Sequence, residues 1–107
     1  MSYKYKTLSG NFETHAFNPV TASLQSEVIF VDTLTNTQPI TVTLQDPWDT
    51  TGRVIVIKDV GGGLATYPMT VTCATATNAI DGLTSQIAST AYASITVMSD
   101  GTNYWII

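Results

Sequence analysis

Positive charge is scarce in this 107-residue sequence: Lys4, Lys6, Arg53 and Lys58 are the only basic side chains, against eight acidic ones, and none follows position 58. A groove that tracks phosphates needs a run of Lys and Arg on one surface, so nucleic acid is excluded as a main partner. Cysteine and histidine occur once each, at Cys73 and His15. One thiol forms no internal disulfide, and one Cys with one His cannot supply a four-ligand zinc site, so neither a metal nor a cofactor is expected. No apolar run reaches the roughly 18 residues needed to span a bilayer, so no membrane insertion is expected. The opening Met1-Ser2-Tyr3-Lys4-Tyr5-Lys6 lacks the apolar core of a signal peptide, which predicts a chain made in the cytoplasm.

Catalytic groups are equally sparse. No glutamate occurs after Glu27, and the later aspartates stand beside turn residues. A Ser-His-Asp or Cys-His arrangement would have to recruit His15, and no acid/base pair is visible, so no enzyme and no catalytic residue is expected. Charged residues make up 11% of the chain, less than half the usual share of about 25%. Nineteen threonines and eight serines take their place, giving a polar surface of hydroxyls rather than ions.

The length suits one domain with one core. Apolar residues fall in short runs bounded by Gly, Pro, Asn, Asp and Thr, which predicts an all-β fold. The expected strands cover residues 27–31, 40–44, 53–58, 69–73, 86–89, 91–98 and 104–107. Most of their residues are threonine or β-branched, types that fit a pleated, half-buried surface. Asp46-Pro47, Gly61-Gly62-Gly63, Asp81-Gly82 and Asp100-Gly101 supply the turns, with the triglycine expected as a flexible hairpin tip. Residues 1–26 are polar and aperiodic, and are expected to form an arm or linker, followed by a β-module over 27–107. The arm carries Tyr3, Tyr5, Phe12 and Phe17, more aromatics than a solvated tail needs, so it is expected to pack in extended form.

Pro39-Ile40-Thr41-Val42-Thr43-Leu44 matches Pro68-Met69-Thr70-Val71-Thr72-Cys73 position by position, 29 residues apart, and residues 94–98 echo both. Alternation puts Ile40, Val42 and Leu44 on one face and the threonines on the other. Such a period marks either a solenoid or a prism of equivalent strands, or the recurrence of a common β pattern. Three other runs, Val28-Ile29-Phe30-Val31, Val54-Ile55-Val56-Ile57 and Tyr104-Trp105-Ile106-Ile107, are apolar on both faces. A small two-layer fold buries only the inner face of each sheet, so a symmetric homo-oligomer is expected to cover the rest. Val54, Ile55, Val56, Ile57, Trp105 and Ile107 are its interface candidates.

The succession Gly52-Arg53-Val54-Ile55-Val56-Ile57-Lys58-Asp59-Val60-Gly61-Gly62, Met69-Thr70-Val71-Thr72, Ala79-Ile80-Asp81-Gly82, and Ile95 through Ser99-Asp100-Gly101-Thr102-Asn103-Tyr104-Trp105 to Ile107 resembles a β-rich module of bacteriophage tail fibres, tailspikes and virion spikes. The resemblance spans residues 39–107. It implies a homotrimeric structural protein of a virion, with short antiparallel strands in a sandwich or β-prism-like unit, that projects from the particle, contacts other virion proteins and mediates host attachment. Residues 1–38 carry no such resemblance, and in a virion protein of this kind the arm at 1–26 is the expected attachment segment.

The alternative function is a carbohydrate-binding module that acts as the adhesin itself. Its contact set would be Trp48, in a loop between strands, with Asp46 and Asp49, and a host-surface glycan would be the ligand. Trp105, in a closing apolar strand, is expected to be buried. Ser99-Asp100-Gly101-Thr102-Asn103 reads as a reversal that returns the last strand onto the one before it, since one carboxylate is too few for a calcium loop. The triglycine lacks the Lys and the helix of a phosphate cradle. Cys73, inside a Thr-alternating strand, is expected to be a buried, inert thiol.

Overall fold

A computed structural model describes residues 11–107. Lys4, Lys6, Tyr3 and Tyr5, which belong to the expected arm, lie outside the described residues. Nine strands are present among the described residues: β1 (Phe12–His15), β2 (Val20–Thr21), β3 (Val28–Val31), β4 (Ile40–Leu44), β5 (Val54–Asp59), β6 (Met69–Cys73), β7 (Ser85–Ala88), β8 (Ser94–Ser99) and β9 (Tyr104–Ile106). The helical element among the described residues is one 3-10 turn, Pro47–Asp49. No helix of the described residues is long and apolar enough to cross a membrane.

The strands form two sheets, in the orders β1-β3-β5-β8-β9 and β2-β4-β6-β7. Up to β6 the chain alternates between them, laying down one strand in each per circuit. Each strand therefore returns beside its predecessor in the same direction, so β1-β3-β5 and β2-β4-β6 are parallel. Three stacked coils result, closed by antiparallel β7, β8 and β9. The expected antiparallel unit is thus corrected to a mixed arrangement in which the parallel part is a short solenoid. Parallel pairing needs a long crossover, and here the opposite sheet supplies it.

The sequence repeat is the coil period. Ile40 pairs with Met69, Thr41 with Thr70, Val42 with Val71, Thr43 with Thr72 and Leu44 with Cys73, so both copies lie in register one coil apart. The echo at residues 94–98 lies in the other sheet and runs antiparallel. It is the same β pattern without the same place.

The core lies between the sheets. Val20, Ile40, Val42, Leu44, Met69 and Val71 face Ile29, Val31, Ile55, Ile57, Val97 and Tyr104, with Leu64 and Ile80 from the loops. Alternation within β4 and β6 points every second residue inward, as the sequence predicts.

Residues 11–26 do not stand apart as an arm. β1 and β2 form the first coil, and Val20 and Ala22 belong to the core. Both strands are short, and Phe12-Glu13-Thr14-His15 alternates with only one apolar residue, so neither gives a strand signal. The triglycine is a second correction. Gly61 and Gly62 donate backbone N–H groups to Asp59 Oδ1 at 2.9 and 3.0 Å, and Gly63 donates to Thr33 Oγ1 at 2.8 Å. A Cβ at Gly61 would lie 2.4 Å from Asp32 Oδ1 and 2.7 Å from the Thr33 nitrogen. The three glycines let the backbone come close to the neighbouring turn, which holds them.

Candidate functional site

All three doubly apolar runs belong to the five-stranded sheet, and the register decides which side chains leave the core. One transverse row on its outer surface runs Phe12–Val28–Val56–Thr96. Ile107 extends it, since its backbone N–H donates to the Thr96 carbonyl at 2.9 Å. A parallel row joins Val54, Met98 and Trp105. Phe30 stands beside Lys58 in the next row, and its ring meets Phe12 edge-on at 5.9 Å between centroids. Phe12, Val54, Met98, Trp105 and Ile107 are exposed, while Val28, Phe30 and Val56 are half-buried.

The six interface candidates are divided by this register. Val54, Val56, Trp105 and Ile107 belong to the outer surface, whereas Ile55 and Ile57 are sealed in the chain's own core. Phe12, Val28, Phe30 and Met98 complete the surface and were not among the candidates. Which member of an unbroken run such as Val-Ile-Phe-Val points inward depends on pairing, which alternation alone does not reveal. Among the described residues Lys58 brings a cation to this surface, and its ammonium donates to the Tyr92 carbonyl.

Trp105 is 45% exposed, which corrects its expected burial. Its indole Nε1 donates to Asp100 Oδ2 at 2.8 Å, while Asp100 Oδ1 accepts the backbone N–H groups of Thr102 and Asn103, both at 2.8 Å. The reversal after Ser99 therefore does two jobs. It returns β9 antiparallel onto β8 and fixes the Trp105 ring on the outer surface.

The loop set Trp48, Asp46 and Asp49 is not a common contact site. Asp46 is nearly buried, and its Oδ1 accepts the N–H groups of Thr75 and Ala76 at 2.8 Å each, with Thr75 Oγ1 donating to Oδ2. Burial works against its charge, yet the Thr75 and Ala76 bonds outweigh it and hold the carboxyl below the usual range. Asp46 thus fastens the turn after β6 to the turn after β4. Trp48 and Asp49 are exposed on the 3-10 turn that follows Asp46. Tyr104 anchors that turn from inside, donating to the Gln45 carbonyl at 2.8 Å and meeting Thr50 Oγ1 at 2.6 Å.

Two other carboxylates, Asp59 and Glu13, repeat this role. Asp59 is fully buried and collects Thr33 Oγ1, the Gly61 and Gly62 N–H groups and the Tyr92 N–H. Desolvation is the largest single influence on it, but those bonds together keep its carboxyl below the ordinary range. Glu13 accepts from Ser23 and Ser26 and pairs with His15 at 2.6 Å. Arg53 donates to the Leu24, Gln25 and Ser26 carbonyls. Among the described residues, no three His, Cys, Asp or Glu side chains gather as a metal-binding group. Cys73 is buried, and desolvation with the nearby Asp46 charge pushes its thiol up to about 11.

The edge of β9 is occupied from within the chain. Tyr104 donates its N–H to the Ala79 carbonyl at 2.6 Å, its carbonyl accepts from Asp81 N–H at 3.0 Å, and Ile106 N–H reaches Asp81 Oδ1 at 2.8 Å. Asp81 and Gly82 take positive φ angles of 51° and 80° in the two-residue turn that makes this possible. No family model matches the chain, and no curated protein matches it significantly.

Proposed function

We propose that the chain is a structural module of a virion, a homotrimeric spike or tail-fibre unit that projects from the particle and mediates attachment. The observation that carries this reading is the outer surface of the five-stranded sheet. Eight apolar side chains, Phe12, Val28, Phe30, Val54, Val56, Met98, Trp105 and Ile107, lie on one side of a fold whose other sheet shows mainly threonine to solvent, with Ile87 of β7 the exposed apolar exception. Together they expose on the order of 500 Å² of apolar area, the upper end of what a monomer leaves in one patch. Packing against further copies of the chain removes that area from water. The ordered motifs of residues 52–107, which resemble the virion module, add the number of copies and the biological setting.

Asp46 is buried and its carboxylate already accepts three hydrogen bonds from Thr75 and Ala76, which weighs against the adhesin reading. Light scattering of the purified chain tests the proposal: a mass near three times 11.5 kDa is expected. A monomer at micromolar concentration overturns it. Immunogold labelling of particles then decides the setting, with label on projecting spikes or fibres as the expected result.

A further inference from the structure

We propose that Asp81-Gly82 is a site of spontaneous isoaspartate formation that releases the Ile106 amide, and that Asp100-Gly101, the same dipeptide, is protected by its hydrogen bonds. The reaction requires no second molecule but water, and it does not depend on the number of copies in the assembly. The glycine amide nitrogen attacks the aspartate Cγ. The N–Cγ bond forms, and the carboxyl O–H departs with the amide proton as water, leaving a five-membered succinimide. Water then opens that ring. When it adds at the former backbone carbonyl, the bond from that carbon to nitrogen breaks, the chain runs on through Cγ with one more methylene, and the α-carboxylate is set free. Glycine at the second position lets the nitrogen come close because it carries no Cβ.

The two turns present these atoms in opposite ways. Asp100 Oδ2 accepts the Trp105 indole N–H, and Oδ1 accepts the Asn103 and Thr102 N–H groups, all at 2.8 Å. Those bonds favour the charged carboxylate, from which no water can leave, and hold the carboxyl below its usual range. The nucleophile is held too, since Gly101 N–H donates to Ser99 Oγ at 3.1 Å. A Cβ at Gly101 would lie 3.2 Å from Thr51 Oγ1, so this turn has little room to move. Asp81 differs on each count. Its Oδ1 accepts one bond, from Ile106 N–H at 2.8 Å, and among the described residues neither Oδ2 nor the Gly82 N–H has a partner. Both residues are exposed, and nothing lies within 4 Å of where a Gly82 Cβ would stand. Backbone bonds hold Ile80, Leu83 and the Asp81 N–H; among the described residues none holds the peptide group that must rotate toward Cγ. Isomerisation moves the accepting oxygen away from Ile106 and lengthens a two-residue turn whose length sets strand register.

Chemical ageing tests each position separately. The folded chain is held for several weeks at mildly acidic pH and body temperature, then denatured and digested with an endoproteinase that cuts before aspartate but not before isoaspartate. A second sample is aged in urea, where neither turn exists, so that each position has its own reference. Resistance in the folded sample relative to urea is expected to be several-fold greater at 81 than at 100. Equal ratios, a larger ratio at 100, or no resistance at 81 in the folded sample while the urea sample shows it, overturns the proposal. In the isomerised fraction, isolated by chromatography, the Ile106 amide is expected to exchange its hydrogen about tenfold faster than in fresh protein. An unchanged rate overturns the release of Ile106.

Discussion

Thr33 and Asp59 meet inside the protein without access to solvent: the threonine hydroxyl donates to Asp59 Oδ1 at 2.8 Å and itself accepts the N–H of Gly63 at 2.8 Å. One carboxylate thereby joins the turn after β3, the triglycine after β5 and, through Tyr92, the approach to β8. Replacing it by alanine leaves buried donors without an acceptor, each costing about 1–3 kcal/mol. Asp59→Ala is expected to destabilise the fold by about 3 kcal/mol or more, lowering the thermal midpoint by well over 10 °C. Asp59→Asn, which keeps one carbonyl acceptor, should lose less. Circular dichroism melts of the three proteins check the order.

Acid should unfold the protein early. The carboxyls of Asp32, Asp46, Asp59 and Asp100 are all held below their usual range by accepted hydrogen bonds. A folded-state pKa below the unfolded one gives stability that is fully present above the unfolded value, about 4, and lost as pH falls through the folded value. Urea midpoints are therefore expected to be level from pH 7 to 5 and to drop steeply below pH 4. Asp59→Asn should start lower and fall less steeply; an unchanged slope would remove Asp59 from the set.

Two glycine substitutions distinguish close approach from backbone freedom. Gly61→Ala forces a Cβ against Asp32 and the Thr33 backbone, at 2.4 and 2.7 Å. Gly52→Ala meets nothing within 4 Å, but Gly52 has a φ of 81°. Denaturant titration is expected to give a loss of about 1 kcal/mol at Gly52 and at least twice that at Gly61.

Adjacent positions on β5 should fail in different ways. Ile57→Asp buries an unpaired charge and is expected to prevent folding. Val56→Glu puts its carboxylate on the outer surface, leaves the circular dichroism spectrum intact and reduces the mass in solution to one chain. If both variants fold and retain the wild-type mass, the register that divides core from surface is refuted.

Cys73 offers a probe of the core. Its burial and its thiol at about 11 predict labelling by a disulfide reagent at pH 8 that is slow in buffer and immediate in urea. Fast labelling of the native chain would mean that the end of β6 opens readily.

The sequence made strands 40–44 and 69–73 legible down to their inward faces, because strict alternation with threonine marks a half-buried strand. It also located the reversal at Asp100-Gly101. It did not reveal that these strands run parallel, since direction depends on the chain visiting the opposite sheet between them, which leaves no local trace. The coil before them was missed for a related reason. β1 and β2 contribute four and two residues, and their stability comes from pairing with β3 and β4 rather than from their own pattern. For the interface candidates, the apolar excess of residues 54–57 and 104–107 was visible, and the choice of side was not. Asp46 looked like a ligand for a sugar because a carboxylate beside an exposed tryptophan has that chemistry. Its actual partners, Thr75 and Ala76, lie 29 and 30 residues away.

The hairpin at Ile80–Leu83 has a bearing on solubility. A bare terminal strand is a template on which any extended peptide can crystallise, and β-rich proteins at high local concentration are vulnerable to that kind of runaway growth. By occupying both Tyr104 backbone groups and the Ile106 amide, Ala79 and Asp81 take most of that template away on the β9 side. What approaches there is met mainly by side chains, which distinguish one shape from another, whereas a free backbone edge accepts nearly any strand. An aspartate at position 81 thus acts as a gatekeeper, and its replacement by alanine would expose one amide of the closing strand to chance partners.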